Sequence, residues 1–227
     1  MANRPTILMH GGDLASLVCL AMESEPADFV LWHVIGSDAG AAMRREVVER
    51  HAGRFGVREV CAVPTAVMET LPKMARKEDL ETQHLVAAAL LARELRSIRL
   101  VYPRQIGLEF PTVAQAIDAA QRVAKAVNEM GNAPWQGAPI ARTLKSFSDV
   151  STDKPSSQGL EIDLPVADLT DSRLVELAAE IVDDLDFWPC VSAGPGTCGE
   201  CQGCRRWLPA LAAIDAGITP MTTVFSV

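Results

Sequence analysis

Four cysteines close to the C-terminal end constrain this chain most strongly. Cys190, Cys198, Cys201 and Cys204 are separated by seven, two and two residues. In a reducing compartment this spacing indicates a metal site rather than two disulfides. Four thiolates in a tetrahedron form a closed, structural zinc site, while an iron–sulfur cluster and a redox or disulfide role are the alternatives. We therefore expect a small zinc knuckle in the tail 188–227.

The remaining composition is that of an ordinary globular protein. The chain has 227 residues, a net charge of −8 and 48% hydrophobic residues. Its length predicts one large domain or one domain with an appendage. An acidic total argues against a nucleic-acid-binding protein, which would carry a basic patch. The sequence has no apolar run long enough to cross a membrane and no signal-peptide pattern. We expect a cytoplasmic protein whose other two cysteines, Cys19 and Cys61, lie in its core.

Short apolar runs alternate with longer helical patterns along the first part of the chain. Such alternation predicts an α/β fold with a parallel sheet covered on both faces. The residues after 130 are rich in Gly, Pro and Ser, which predicts a long loop over 131–159. An edge strand over 160–165 and a helix capped by Asp168 or Thr170 should follow. The predicted strands are 6–9, 29–35, 57–63 and 98–102, and the predicted helices are 13–23, 39–55, 82–96 and 113–130.

A Gly-Gly turn between the first strand and the first helix is the second candidate site. The segment His10-Gly11-Gly12-Asp13-Leu14-Ala15-Ser16 could place backbone N–H groups and a helix N-terminus against phosphates. The alternative is a packing turn that ends the strand, in which His10 caps the next helix. His33 is expected to be a core histidine. His51 and His84 fall on helical segments and are expected at the surface.

The Gly-Gly turn and the cysteine tail together resemble the 7-cyano-7-deazaguanine synthase family of the queuosine pathway, a group of N-type ATP pyrophosphatases (PP-loop proteins). The order strand, x-Gly-Gly-x-x-x-Ser, helix and distant Cys-x7-Cys-x2-Cys-x2-Cys tail carries the resemblance. Further segments similar to that family follow in the same order: Asp38-Ala39-Gly40 with Arg44-Arg45-Glu46, Leu164-Pro165-Val166-Ala167-Asp168-Leu169-Thr170, Trp188-Pro189-Cys190 and Cys198-Gly199-Glu200-Cys201-Gln202-Gly203-Cys204-Arg205.

The resemblance implies a fold, an activity and a set of ligands. The fold is an adenine-nucleotide-hydrolase-like (Rossmann-like) domain over 1–187, with the zinc-binding tail 188–227 packed on it. The reaction is ATP- and Mg-dependent adenylation of a deazapurine carboxylate and its conversion with ammonia to a nitrile, carried out by a homodimer. The implied cofactor-binding residues are His10, Gly11, Gly12, Asp13, Ser16 and Asp38. Tyr102 and Arg104 follow a predicted strand at the edge where ligands bind, and are the candidates for substrate contact.

Several positions depart from the family pattern. The family loop reads Ser-Gly-Gly-x-Asp-Ser, whereas this chain has His10, Leu14 and Ala15 at the three polar positions. Those polar groups would contact pyrophosphate and magnesium. Ala41 stands in place of a Gln, and the family segments expected near 77–81 and 102–110 are missing. Two hypotheses follow: a divergent ATP-dependent C–N ligase, or a catalytically inactive or repurposed paralogue that acts as a nucleotide-binding or protein-interaction scaffold.

Overall fold

A computed structural model of the chain describes residues 4–71, 75, 79–105, 113–130, 159–192 and 196–215. The predicted loop 131–159 lies outside these residues, apart from Gly159. The described strands are β1 (Thr6–Met9), β2 (Phe29–Ile35), β3 (Glu59–Pro64), β4 (Arg99–Val101) and β5 (Glu161–Asp163). The described α-helices are α1 (Leu14–Ala21), α2 (Ala41–Phe55), α3 (Leu80–Glu94), α4 (Val113–Glu129), α5 (Asp171–Ile181) and α6 (Gln202–Asp215).

The five strands form one all-parallel sheet in the order β3-β2-β1-β4-β5. The predicted α/β class is therefore confirmed, and β5 lies at an edge of the sheet, as the sequence predicted. β1 is the central strand and pairs with β2 on one side and β4 on the other. This order is typical of doubly wound α/β sheets, in which ligands bind where the strand order reverses.

The helix ends follow local side-chain chemistry. Asp13 caps α1 by accepting a hydrogen bond from the Ser16 N–H at 2.8 Å. Thr170, one of the two predicted caps, accepts one from the Arg173 N–H at the start of α5. Each cap satisfies one of the N–H groups that a helix leaves unpaired at its first turn.

Two apolar clusters cover the two faces of the sheet. The first lies between the sheet and α3 and α4, and contains Trp32 and Cys61. The second packs α1, α2 and α5 on the other face and contains Cys19. The cysteines at 19 and 61 are only 1% and 3% exposed, so their predicted place in the core is confirmed. Burial raises the pKa of the Cys61 thiol to about 12, so this thiol stays protonated.

The C-terminal tail returns to the second cluster through a tryptophan. Trp207 of α6 is 4% exposed and packs in the cluster that contains α1 and α5. Its ring meets Phe187 edge to face, with 6.2 Å between the ring centroids. Among the described residues, no helix combines the length and the apolar composition that a membrane crossing requires.

Candidate functional site

A cavity of about 250 Å³ lies at the carboxyl ends of β1, β2 and β4. The chain leaves β1 towards β2 and leaves β4 towards β5, on opposite sides of the sheet, which opens a crevice between the loops that follow these two strands. Six of the eight residues predicted for nucleotide or substrate contact line the cavity: His10, Gly11, Asp13, Ser16, Tyr102 and Arg104. Gly12 and Asp38 are not among its lining residues.

The Gly-Gly turn is closed by hydrogen bonds to its own side chains. The Gly11 N–H donates to Ser16 Oγ at 3.1 Å, and the Gly12 N–H donates to His10 Nδ1 at 3.1 Å. Asp13, not His10, caps α1. The two amides that could approach a phosphate therefore already have acceptors within the loop.

Gly12 is held between α2 and the tail. Its φ is +73°, and a Cβ there would lie 2.8 Å from the Arg44 carbonyl oxygen of α2. Its own carbonyl accepts a hydrogen bond from the Trp188 N–H at 2.9 Å. Glycine is required at this position because a left-handed backbone and a close neighbour both exclude a side chain.

Asp38 forms part of an ion pair beside the cavity. It accepts from Arg44 Nη2 at 2.5 Å and from the Gly40 N–H at 3.0 Å. The Arg44 guanidinium holds the pKa of the Asp38 carboxyl below its usual value. Arg44 itself lines the cavity and also donates to the Cys190 carbonyl at 3.2 Å. Asp38 thus contacts a cavity residue without lining the cavity itself.

Glu81 joins the two residues predicted for substrate contact. The Tyr102 hydroxyl donates to Glu81 Oε1 at 2.6 Å, and Arg104 Nη1 lies 3.6 Å from the same oxygen. Sequence reasoning missed Glu81, which lies in the first turn of α3, and His84, which also lines the cavity. Their spacing of three residues at a helix start places both on one face, and this was the only signal in the sequence.

Three histidines lie close together beside the Gly-Gly turn: His10 directly after β1, His33 in β2 and His51 in α2. His10 Nε2 lies 3.1 Å from His51 Nδ1, and His51 Nε2 lies 2.6 Å from the Asp186 carbonyl oxygen. His33 Nδ1 donates to the His10 carbonyl at 2.8 Å. The three histidines are at most 2% exposed. Burial lowers the pKa of all three imidazoles, so they are neutral near pH 7.

The histidine expectations are thus partly wrong. His51 was expected at the surface because it lies on a charged helix, but α2 turns this side chain inward against His10. His84 is half-buried, and its Nε2 has no hydrogen-bond partner among the described residues. His33 is a core histidine as predicted, although its Nε2 also lacks a partner in the described part of the chain.

A second, larger cavity of about 650 Å³ lies between α4 and β5. It is lined by residues 160–163 and by six residues of α4, and it contains none of the predicted site residues. The segment that connects α4 and β5 lies outside the described residues, so we assign no role to this cavity.

The four cysteines of the tail converge as their spacing predicts. Their sulfur atoms all lie within 4.8 Å of one another. Cys198 Sγ and Cys204 Sγ are 3.9 Å apart, and Cys201 Sγ and Cys190 Sγ are 4.0 Å apart. All four are free thiols. These distances fit sulfur ligands around one metal ion and not disulfide bonds, which need about 2 Å.

Backbone amides prepare the sulfur atoms for a cation. The Cys198 and Ser192 N–H groups donate to Cys190 Sγ, each at 3.3 Å, and the Cys204 N–H donates to Cys201 Sγ at 3.5 Å. Such donation stabilises a thiolate, and it lowers the pKa of the Cys190 and Cys201 thiols. The cluster can therefore hold a metal ion.

The cysteine cluster is fastened to the elements that form the cavity. The Gly40 N–H donates to the Val191 carbonyl at 2.8 Å. Arg206, just after the last cysteine, donates to both carboxylate oxygens of Asp171 and to Gln105 Oε1. Gln105 directly follows Arg104, which lines the cavity. A structural change in the cluster should therefore alter the positions of residues that line the cavity.

Comparison with known proteins adds no relative. No protein-family model matches the sequence, and no curated protein matches it at a significant level.

Proposed function

We propose that this chain is a divergent protein of the 7-cyano-7-deazaguanine synthase type that binds a base-sized deazapurine in its sheet-edge cavity without hydrolysing ATP. The parallel sheet with β1 at its centre and the four-cysteine tail support the adenine-nucleotide-hydrolase-like scaffold. The volume of about 250 Å³ lies below the roughly 300–1,000 Å³ typical of sites for larger ligands. It suits a single base better than a whole nucleotide.

The observation that carries this proposal is the closed state of the Gly-Gly turn. A phosphate at this turn would have to displace Ser16 Oγ from Gly11 and His10 Nδ1 from Gly12. The carboxylate of Asp13 caps α1 and also lies against Gly11. A negative charge at that point repels a second anion, because like charges at close range disfavour each other. The amides of the turn thus donate to side chains of the same segment at the place where an ATP pyrophosphatase would bind pyrophosphate.

A second candidate function is the ATP-dependent C–N ligase. The observation that favours it is that Asp13 and Ser16 both line the cavity, since carboxylate and hydroxyl oxygens are ligands that Mg²⁺ accepts. In this case Asp13 would turn from capping α1 to holding the metal, and the chain would adenylate a deazapurine carboxylate.

Calorimetric titration distinguishes the two functions. We expect 7-deazaguanine or its 7-carboxylate to bind with a dissociation constant in the micromolar range, about −8 kcal/mol, and ATP with Mg²⁺ not to bind. Tight ATP binding, with pyrophosphate release that depends on the 7-carboxylate and with AMP release on addition of ammonia, would establish the ligase instead. If neither ligand class binds, the base-binding proposal is wrong.

We also propose that the four cysteines hold one structural zinc ion. Zinc–sulfur bonds of about 2.3 Å give a tetrahedron with edges of about 3.8 Å, close to the sulfur separations of 3.9 and 4.0 Å. Four thiolate ligands leave no position for water, so the ion would hold the tail in place. Metal analysis should return one zinc per chain. Iron with inorganic sulfide and visible absorbance would instead identify an iron–sulfur cluster.

The homodimer implied by the resemblance and the cytoplasmic location expected from the sequence belong to the same proposal. Sedimentation velocity on the metal-loaded protein tests the first, because a dimer has twice the monomer mass of 24.4 kDa.

A further inference from the structure

The buried histidines belong to a closed ring of hydrogen bonds that joins the Gly-Gly turn to the tail. The ring runs from the Gly12 N–H to His10, from His10 to His51, and from His51 to the Asp186 carbonyl. Two residues further on, the Trp188 N–H returns to the Gly12 carbonyl. Gly11 of the turn therefore lines the cavity, while Gly12 is held by His10 and, through His10, by His51.

The groups at the two ends of this series of hydrogen bonds fix the direction of every bond in it. The Gly12 N–H can only donate, so His10 Nδ1 carries a lone pair. The Asp186 carbonyl can only accept, so His51 Nε2 carries a hydrogen. The remaining bond then runs from His10 Nε2–H to His51 Nδ1. Both rings are neutral in this arrangement, and each ring nitrogen has one partner.

A proton added to either ring leaves a donor facing a donor. If it binds His10 Nδ1, it opposes the Gly12 N–H. If it binds His51 Nδ1, it opposes the His10 Nε2–H. His33 differs, because its Nε2 has no partner among the described residues and a proton there opposes no hydrogen-bond donor.

We propose that His10 and His51 form a latch that holds the Gly11–Gly12 turn closed while both rings are neutral and releases it when either ring takes up a proton. Release frees the Gly12 amide and loosens the wall of the cavity beside Asp13, so acid weakens ligand binding. This inference concerns the regulation of the cavity and in that part rests on the proposed function; the opening of the latch itself does not.

Charged groups of both signs surround the latch. His51 faces Asp186, which favours its protonated form, and Arg50 and Arg54 of α2, which oppose it. His10 faces the two other imidazoles, His33 and His51. His33 lies near Asp13 of α1 and near Arg44 and Arg45 of α2. Because these charges are mixed and burial opposes protonation, the latch should open below the pH at which an exposed histidine titrates, about 6.5.

Nuclear magnetic resonance of the metal-loaded protein tests the latch without any ligand. At about pH 7.5 the nitrogen shifts should identify His10 and His51 as neutral rings with hydrogen on Nε2. Hydrogen exchange should show that the protection factor of the Gly12 amide falls about tenfold or more as the pH is lowered to about 5. Hydrogen on Nδ1 of either ring, or constant protection of Gly12, would overturn the proposal.

Two variants and a control give the test its specificity. In His10→Asn the side-chain oxygen can accept from the N–H two residues ahead without titrating, so Gly12 protection should no longer depend on pH. In His51→Gln the amide can accept from His10 and donate to Asp186, so the acid response should shrink. Glu49→Gln, on the exposed side of α2, should respond as the unmodified protein does. Equal acid responses in all four proteins would contradict the latch.

A final arm measures binding of 7-deazaguanine at both pH values. Binding should weaken about tenfold or more in acid in the unmodified protein and much less in His10→Asn. If the latch opens in acid but no 7-deazaguanine binds at any pH, the proposed function fails and the latch stands. If 7-deazaguanine binds equally at both pH values, the regulatory role fails.

Discussion

The Gly-Gly turn and the four-cysteine cluster use backbone amides in opposite ways. In the turn, the amides of Gly11 and Gly12 donate to Ser16 and His10, so both donors already have acceptors and neither is available to an anion. In the cluster, amides donate to the sulfur atoms of Cys190 and Cys201, and this favours thiolates that can bind a cation. A recognisable motif thus becomes a binding site only where its own side chains do not already occupy the groups that would contact the ligand.

The largest effect on stability is expected when a cysteine of the cluster is replaced. Cys204→Ser removes a fully buried sulfur and with it the metal, so the free energy of unfolding should fall by about 4 kcal/mol or more. Metal analysis and thermal unfolding measure the change. Cys61→Ala removes a buried thiol outside the cluster, and it should keep the full metal content. Unchanged metal in Cys204→Ser would remove this residue from the site.

The next effect concerns the packing of the turn. Gly12→Ala should cost about 3 kcal/mol, because it adds a Cβ at a left-handed residue and against the Arg44 carbonyl. Gly56→Ala is the matched control: its φ is +65° but nothing lies within 4 Å of the added carbon, so it should cost only about 1 kcal/mol. Chemical denaturation measures both variants. Equal losses of stability in the two variants would show that the close approach of α2 to the turn does not contribute to the cost of the Gly12 substitution.

Acid should destabilise the folded protein through its buried histidines. Burial lowers the folded pKa of His10, His33 and His51 below the unfolded value near 6.5. As the pH falls, the unfolded chain takes up protons first, so stability is complete above about pH 7 and is lost below about 6.5 towards the folded pKa values. We expect a loss of about 1–2 kcal/mol between pH 7 and pH 6. A flat stability profile over this range would contradict the buried neutral rings.

The smallest effect is expected at Asp38. Its ion pair with Arg44 is partly exposed, and such pairs contribute under about 1 kcal/mol. Asp38→Asn should therefore change stability little, and it should leave 7-deazaguanine binding unchanged because Asp38 does not line the cavity. Denaturation and calorimetry measure the two quantities. A tenfold loss of binding would mean that the position of Arg44 at the cavity depends on this carboxylate.

Regular, local features were predictable from the sequence. The β1–α1 turn, the end of α2 at Gly56 and the cap at Thr170 depend on residues next to one another, whose chemistry acts within one turn of the chain. The cavity could be predicted in part, since the ends of parallel strands share one edge of a sheet. Glu81 and His84 were missed, because α3 follows a different strand and only folding brings it to that edge.

The sequence by itself determined the α/β class, the parallel sheet and the convergence of the four cysteines, because periodicity and short spacing act locally. Only the tertiary structure decided that His51 is buried against His10. It also decided that Trp188 of the tail closes the ring onto Gly12. These contacts join residues 41 and 176 positions apart, and no local pattern specifies which side chain or amide will meet a given partner across the sheet edge.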